Sequence, residues 1–530
     1  MSVSLNNERT LVRRLTLRNL IFLGLGYDMA TGALFSATAI VSAAGPEGII
    51  TYLVAGLFYS ALGVIFIELS RVYPEAGSVT RFTLYSHGRT LNLINGFADL
   101  IWYLFIPPVE AISVSYTLNV FFPYFINSAG DPTIYGAILG FGIVLLMLPV
   151  NYFGISRFGR ATNYISAVKI ALYLTVPIAL ILFVHNSANL LHEGGFAPFG
   201  IGSMFAILPL AMYNFGGSRM IPDFAEETTK RSYITLGIII AILTETAIYT
   251  LLAVAVVLGT NWSAIHLAAG SWHSLKGLAA NPFLVFSKST GLEWLLVITL
   301  IVSVLSPYIS GYISVGAGTR ALFSMGRSGL VGDRIKAIHE KYAIPVWSLV
   351  VFIVVGGFLA LVSAPAPSIY NLIDDATAAG YLGFAAIPVA MIVSRRQKST
   401  SKLQRIRGGN ILAPVAMGVS SLIAYWAGWP DEPYAVLLIM AASLLFGIYS
   451  KATQGLLNSI WYICYMGFIT LMVAIGTEGL YTLIPNSIGP FVVFAVTVAL
   501  FYPWGVFSGL EVRFKDKEFT EFKAERFEPE

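Results

Sequence analysis

Apolar runs of about twenty residues recur from Leu20 to Gly509, separated by short polar connectors. An α-helix needs about 20 apolar residues to cross a hydrocarbon core, and its backbone groups must be satisfied inside the segment. The runs predict spans near 19–44, 48–72, 95–125, 133–153, 163–185, 202–222, 233–259, 291–318, 346–364, 371–394, 411–429, 434–450, 458–476 and 487–509, about fourteen in all. The expected fold is therefore an all-α polytopic membrane protein. Charge agrees with this: only 11% of the 530 residues are charged and 56% are hydrophobic, against about 25% charged in a soluble chain. So little charge cannot clothe a water-facing surface of this size, and contact with a lipid bilayer accounts for the missing polar area. The net charge of +4 gives no footprint for nucleic acid. A lone cysteine, Cys464, excludes an internal disulfide and a cysteine-based zinc site.

Lysine and arginine set the orientation, because loops on the cytoplasmic side carry them in excess. With the N-terminus inside, Arg9, Arg13, Arg14 and Arg18 are cytoplasmic, and so are Arg71, Arg81, Arg89, Arg157, Arg160, Lys230 and Arg231. The basic runs at 320–341, 395–407 and 513–526 fall on the same side. Lys276 and Lys288 alone fall on the other. An even number of spans returns the charged C-terminal tail to the cytoplasm, so both termini are expected there in a multi-pass protein of the cell membrane. The apolar stretch after the basic N-terminus reads as a first span rather than a removed signal peptide. The segments 73–90 and 320–343 read as short amphipathic connectors.

Residues that weaken a helix at mid-depth are informative, since irregular backbone inside a bilayer survives only where protein or a cavity satisfies it. The first span reads GLGYDMATGALF over Gly24–Phe35, with glycines and Asp28 at its centre. The sixth reads LPLAMYNFGGSRMIPDFAEE over Leu208–Glu227, with Gly216-Gly217-Ser218 at depth. These spans are five apart. An odd offset makes them enter from opposite sides, as paired discontinuous helices of inverted repeats do. Half-helix N-termini then offer N–H groups to a carboxylate, and half-helix C-termini offer carbonyls to an ammonium group. An amino acid zwitterion needs both. Small residues in membrane helices also serve plain close packing, and two matched centres favour a site over packing alone.

Four further stretches carry a resemblance. Helix 2 ends FIELSRVYPEAGSVTRFTLYSHG (Phe66–Gly88), the first span closes on AAGPEG (Ala43–Gly48), the sixth continues into FAEETTKRS (Phe224–Ser232), and TRALFSMGRSGLVGDRIKAIHEKYAIPVW (Thr319–Trp347) follows the eighth. In this order they resemble the signatures of the amino acid–polyamine–organocation superfamily of permeases, over about three-quarters of the chain. The resemblance implies a five-plus-five inverted repeat of the leucine-transporter kind. The core would then be 19–394, with repeats at about 19–185 and 202–394. Residues 1–18 and 510–530 would be cytoplasmic ends, 395–410 a basic cytoplasmic loop, and 411–509 four additional helices. It also implies a small-molecule substrate, an amino acid, whose carboxylate meets the N–H groups of Gly32 and Ala33. The amino group would meet carbonyls of Met29, Tyr213 and Gly216, with Thr31, Asn214, Phe215 and Ser218 around them. Both helices are expected to unwind, near Thr31–Ala33 and Phe215–Ser218. Two departures from the family pattern stand out. Thr31-Gly32-Ala33-Leu34-Phe35 replaces Gly-Ser/Ala-Gly-Ile-Phe, and Arg219 stands where the family often has a glutamate.

Lys169 lies in NYISAVKIALYL, mid-span in helix 5. A lysine there costs about 2.5–3.5 kcal/mol on insertion scales, and desolvation lets it release a proton. The resemblance adds that proton-coupled members carry a lysine at this place, where sodium-coupled members hold sodium; a structurally paired lysine is the plainer reading. Asp28, Glu110 and Glu245 are the other deep acids, each a relay or a paired charge. Arg219 either meets a substrate carboxylate or pairs with Asp223 one turn on. Asp374-Asp375 has no acidic or histidine cluster to make a metal site, the histidines show no zinc spacing, and Gly24-x-Gly26 follows no strand. No cofactor and no metal are expected. The sequence thus points to a secondary amino acid transporter, a permease driven by protons. Sodium coupling or exchange, of amino acids or polyamines, is the alternative. An antiporter-like subunit of a respiratory complex would need several buried lysines, and an intramembrane enzyme a catalytic cluster; neither is present.

Overall fold

The computed structural model describes residues 11–509 except 192–194, 279–280, 367–378, 398–403, 478 and 486–487. The described residues are helical, with isolated bridges and no β-strand. Ten apolar helical stretches are long enough to cross a bilayer, one of them running from Gly32 to Val72 through a 3-10 turn, and Val346–Val362 is a shorter apolar helix. The protein is a multi-pass, all-α membrane protein. Asp374 and Asp375, His192 and the C-terminal tail lie outside the described residues.

The first span is two helices, α1 (Leu17–Asp28) and α2 (Thr31–Ala44). After α3 (Gly48–Val72), the connector folds into α4 (Ser78–His87). Then come α5 (Arg89–Leu118), α6 (Ile134–Tyr152) and α7 (Ile155–Phe183). The sixth span is again two helices, α8 (Gly202–Tyr213) and α9 (Gly217–Asp223). They are followed by α10 (Arg231–Gly259), α11 (Pro282–Ser289), α12 (Glu293–Arg327), α13 (Val346–Val362) and α14 (Ala379–Arg396). Outside this set lie α15 (Gly409–Trp426), α16 (Asp431–Ser450), α17 (Leu456–Ile475) and α18 (Gly489–Phe507). Several helices run past the apolar stretch that announces them. α7 starts at Ile155 because Gly154, at φ 90, turns the chain there, and α12 continues to Arg327 because ion pairs hold its polar last turns.

Packing joins helices five spans apart. α3 lies on α10, α5 on α12, α6 on α13, α1 on α9 and α2 on α8. This is the pairing an inverted repeat would give. The lipid-facing surfaces are apolar, as Leu57, Leu182, Leu243 and Leu457 illustrate by their exposure.

At the end of the molecule that carries the basic residues, hydrogen bonds and ion pairs join the connecting segments. The segment before α1 lies along the turn that precedes α10: Leu15 bridges Thr228, and the Arg14 and Leu15 N–H groups donate to the Glu227 carbonyl at 2.8 and 2.9 Å. Below it, Arg320 Nη2 donates to Glu227 Oε1 at 2.9 Å and Arg327 Nη1 to Glu226 Oε2 at 2.7 Å. Arg320 also stacks on Phe224, 4.2 Å from the ring centre. Arg81 pairs with Glu75 at 3.0 Å. Buried charges need partners of this kind, and here they tie the turn after α9 to α12 and α4 to the connector before it.

Candidate substrate and coupling site

Both breaks exist, one of them displaced. Helix α1 ends at Asp28, and Met29 and Ala30 are the irregular residues. The expected unwinding at Thr31–Ala33 is corrected to Met29–Ala30. Thr31, Gly32 and Ala33 are instead the first turn of α2, and the Ala33 N–H donates to the Ala30 carbonyl at 3.2 Å. In the sixth span Asn214, Phe215 and Gly216 are irregular, and Gly217 and Ser218 open α9. The physical reason is close approach. A Cβ on Gly217 would overlap the Gly24 carbonyl and Asp28 Oδ2, and one on Gly26 would overlap Ser166. The glycines let the two backbones touch beside the breaks.

The two half-helix N-termini differ. Gly32, on the first turn of α2, is exposed, and a Cβ there would meet nothing within 4 Å. First-turn N–H groups have no intrahelical partner, so this end faces open space. The N-terminus of α9 is filled from within: Asp28 Oδ1 accepts from the Gly216 N–H at 2.8 Å and the Gly217 N–H at 2.6 Å. The carbonyls at the C-terminal ends are partly committed. Tyr249 donates to the Asn214 carbonyl at 2.8 Å, Tyr381 to that of Met212 at 3.1 Å, and Ser310 to that of Tyr27 at 2.5 Å. Ser36 reaches Asn214 Oδ1 at 3.0 Å, joining α2 to the second break. Tyr213 is half-buried, edge-on to Tyr381, while Phe215 is buried and stacks on Tyr59 with ring centres 5.5 Å apart. Met29 and Ser218 are buried beside them.

Lys169 is buried and makes three hydrogen bonds: to the Gly26 carbonyl at 2.6 Å, the Ser306 carbonyl at 3.3 Å and Ser310 Oγ at 3.2 Å. All three ammonium donors are used. The bonds join α7 to the end of α1 and to the middle of α12.

Arg219 does not form the expected salt bridge with Asp223. It is wholly buried and forms its ion pair with Asp99 of α5. Its guanidinium lies 4.0 Å from the Trp102 ring centre and 4.2 Å from that of Phe384, a desolvated cation–π sandwich. Asp223 accepts instead from the Tyr103 hydroxyl. Sequence reasoning passed over Asp99, although a lone acid in the apolar run of Ile94–Ile106 was the signal. It also passed over the tyrosines that cap the carbonyls, for which a tyrosine among many gives no signal at all.

The sequence profile of the amino acid permease family matches residues 19–427. The chain belongs to the amino acid permease family. Its match runs through both breaks, Lys169 and the basic-end ion pairs. The permease is 26% identical to an aspartate-proton symporter of Bacillus subtilis (strain 168), covering 94% of this chain and 97% of that protein. It is 24% identical to the glutamate/serine transporter AimA of the same organism, with 95% of each chain covered. Similarity to the mouse cationic amino acid transporter 4 is lower in extent, 23% over 74% of this chain and 61% of that one. The family assignment does not favour the respiratory-subunit alternative.

Proposed function

We propose that this permease is a secondary active symporter that moves an amino acid together with protons by alternating access, and that it performs no enzymatic chemistry. The observation that carries the reading is the Lys169 ammonium, held by the Gly26 and Ser306 carbonyls and Ser310 Oγ between α7, α1 and α12. A cation bound by the chain itself occupies that junction, so a proton on Lys169 can do there what a bound sodium ion would otherwise do. Protonated, the lysine holds three helices together; neutral, it offers fewer donors and the junction loosens.

The substrate carboxylate is assigned to the N-terminus of α2, at the N–H groups of Thr31 and Gly32 rather than Gly32 and Ala33, since the Ala33 N–H donates to the Ala30 carbonyl, and because that end faces open space while the other is capped by Asp28. The amino group is assigned to the carbonyls of Met29, Tyr213 and Gly216, with Asn214 and Phe215 bounding the side chain. Arg219 supports these helices through Asp99 rather than touching substrate. The ten-helix core at 19–394, with four helices after it, remains the organisation that the packing pairs support. The basic end is the cytoplasmic face, with both chain ends on it, in the cell membrane. Two relatives of full-length coverage are named for aspartate with protons and for glutamate and serine, so these three amino acids head the substrate screen.

The test is uptake in proteoliposomes with an imposed pH gradient, an imposed sodium gradient, or neither. Accumulation of one of these amino acids above its external concentration, driven by the pH gradient alone, is the expected result. Accumulation that requires sodium, or only one-for-one exchange, overturns it.

A further inference from the structure

The Asp28 carboxylate and Glu245 are in side-chain contact, and nothing derived above uses Glu245. It lies on α10, 1% exposed, and its side chain reaches the Asp28 carboxyl in hydrogen-bonding position. An ionised carboxylate only accepts hydrogen bonds. Two ionised carboxylates in contact therefore have no bond to make, and they repel. Asp28 Oδ1 is committed to the Gly216 and Gly217 N–H groups. Asp28 Oδ2 and both Glu245 oxygens find no donor among the described residues. The nearest base, Lys169, spends its three donors on Gly26, Ser306 and Ser310.

We propose that Asp28 and Glu245 share one proton, forming a second protonation site that ties α10 to the capped N-terminus of α9. The proton supplies the missing donor: one carboxyl donates to the other, and Asp28 keeps its second oxygen on the α9 amides. The groups facing the pair from the packed helices are Tyr27 on α1, Tyr59 on α3, Lys169 and Tyr173 on α7, Tyr249 on α10 and Tyr381 on α14. Lys169 is the one cation among them, and Arg219 on α9 is engaged by Asp99. Loss of the shared proton leaves two negative charges at one end of a half-helix. The cheapest relief is for α10 to move away from α1, so proton occupancy and helix position are linked. Its role in transport rests on the proton-coupled reading above, whereas its chemistry does not.

The experiment is infrared spectroscopy of the full-length protein in lipid vesicles, titrated across pH without substrate. A protonated-carboxyl C=O band should be present at neutral pH in the wild type, disappear as pH rises, and be absent in Glu245→Gln. Asp28→Asn provides the second assignment if Glu245→Gln is poorly folded. Identical bands in wild type and both variants overturn the proposal, and so does loss of the band at fixed pH when choline is replaced by sodium, since a metal ion would then be the bridging charge. In transport, Glu245→Gln should retain substrate exchange and show an altered pH dependence, with Lys169 still titrating; unchanged pH dependence overturns the coupling role. If the band behaves as described while wild-type uptake ignores the pH gradient, the symport reading falls and the shared proton stands.

Discussion

Replacing Lys169 by methionine removes the charge and keeps most of the stem. The structure fixes what this leaves behind. Ser306 lies inside α12, so its carbonyl keeps a place in the helical ladder. Ser310 Oγ still donates to the Tyr27 carbonyl at 2.5 Å. The Gly26 carbonyl is different. Four residues on, the Ala30 N–H has turned to the Asp28 carbonyl, so α1 supplies Gly26 with no regular partner, and Lys169 Nζ at 2.6 Å fills that need. A buried carbonyl left unmade costs about 1–3 kcal/mol. If the bond exists in one transport state only, that cost shifts the balance between states about 5- to 150-fold. In proteoliposomes Lys169→Met should lose accumulation driven by a pH gradient while still binding substrate in a thermal-shift assay. Lys169→Arg should fail too, because arginine keeps its proton. Undiminished proton-driven accumulation by Lys169→Met would refute the argument, as the Gly26 bond would then be structural and state-independent.

Gly32→Leu should fold with wild-type thermal stability, since a Cβ there meets nothing within 4 Å, and should abolish uptake; normal uptake would move the carboxylate site elsewhere. Arg320→Met leaves Glu227 buried without its partner, which should cost about 3–5 kcal/mol, seen as a lower melting temperature or as reactivity of the basic end to water-soluble labels. His87 lies on α4 outside the spans, and its burial pushes its pKa from 6.5 down to about 4. The folded state therefore refuses a proton that the unfolded state accepts: stability is full above about pH 6.5 and falls toward pH 4 by up to about 1.4 kcal/mol per pH unit. His87→Gln should flatten that slope in pH-dependent thermal denaturation, and an unchanged slope would place the titration elsewhere.

The helices were legible because lipid imposes length and apolarity on each one. The breaks were legible because Gly216-Gly217 and Gly24-x-Gly26 cannot be explained by span formation alone. Their positions were less so. The first break falls at Met29–Ala30, two residues that carry no helix-breaking signature, a few residues past the contact of Gly24 and Gly26 with Gly217 and Ser166. That contact is tertiary, so local pattern reads the neighbourhood and misses the residue. Arg219 shows the same limit. Asp223 is the helical neighbour a sequence offers, while Asp99 is brought in by α5 packing on the second half of the chain. Lys169 was legible as a buried charge but not in its partners: burial of a lysine in a span is visible in one dimension, and the carbonyls that receive it are not.

The asymmetry between the two half-helix N-termini follows from one residue. Both ends carry a partial positive charge, and both would attract a carboxylate. In this permease Asp28 stands at the end of α1 and reaches across to the amides of α9. An internal carboxylate at effectively fixed position outcompetes a free one, because it loses little translational freedom on binding. On the proposed binding mode, the substrate carboxylate is thereby directed to α2. Asp28→Asn keeps an amide oxygen for the Gly216 and Gly217 N–H groups and removes the charge, so it should preserve substrate affinity. Asp28→Ala uncaps α9 and should open a second, competing anion position. Substrate affinity measured by thermal shift, with and without a simple carboxylate such as acetate as competitor, separates the two. Equal competition by acetate in the alanine variant and the wild type would mean that Asp28 does not decide where the carboxylate goes.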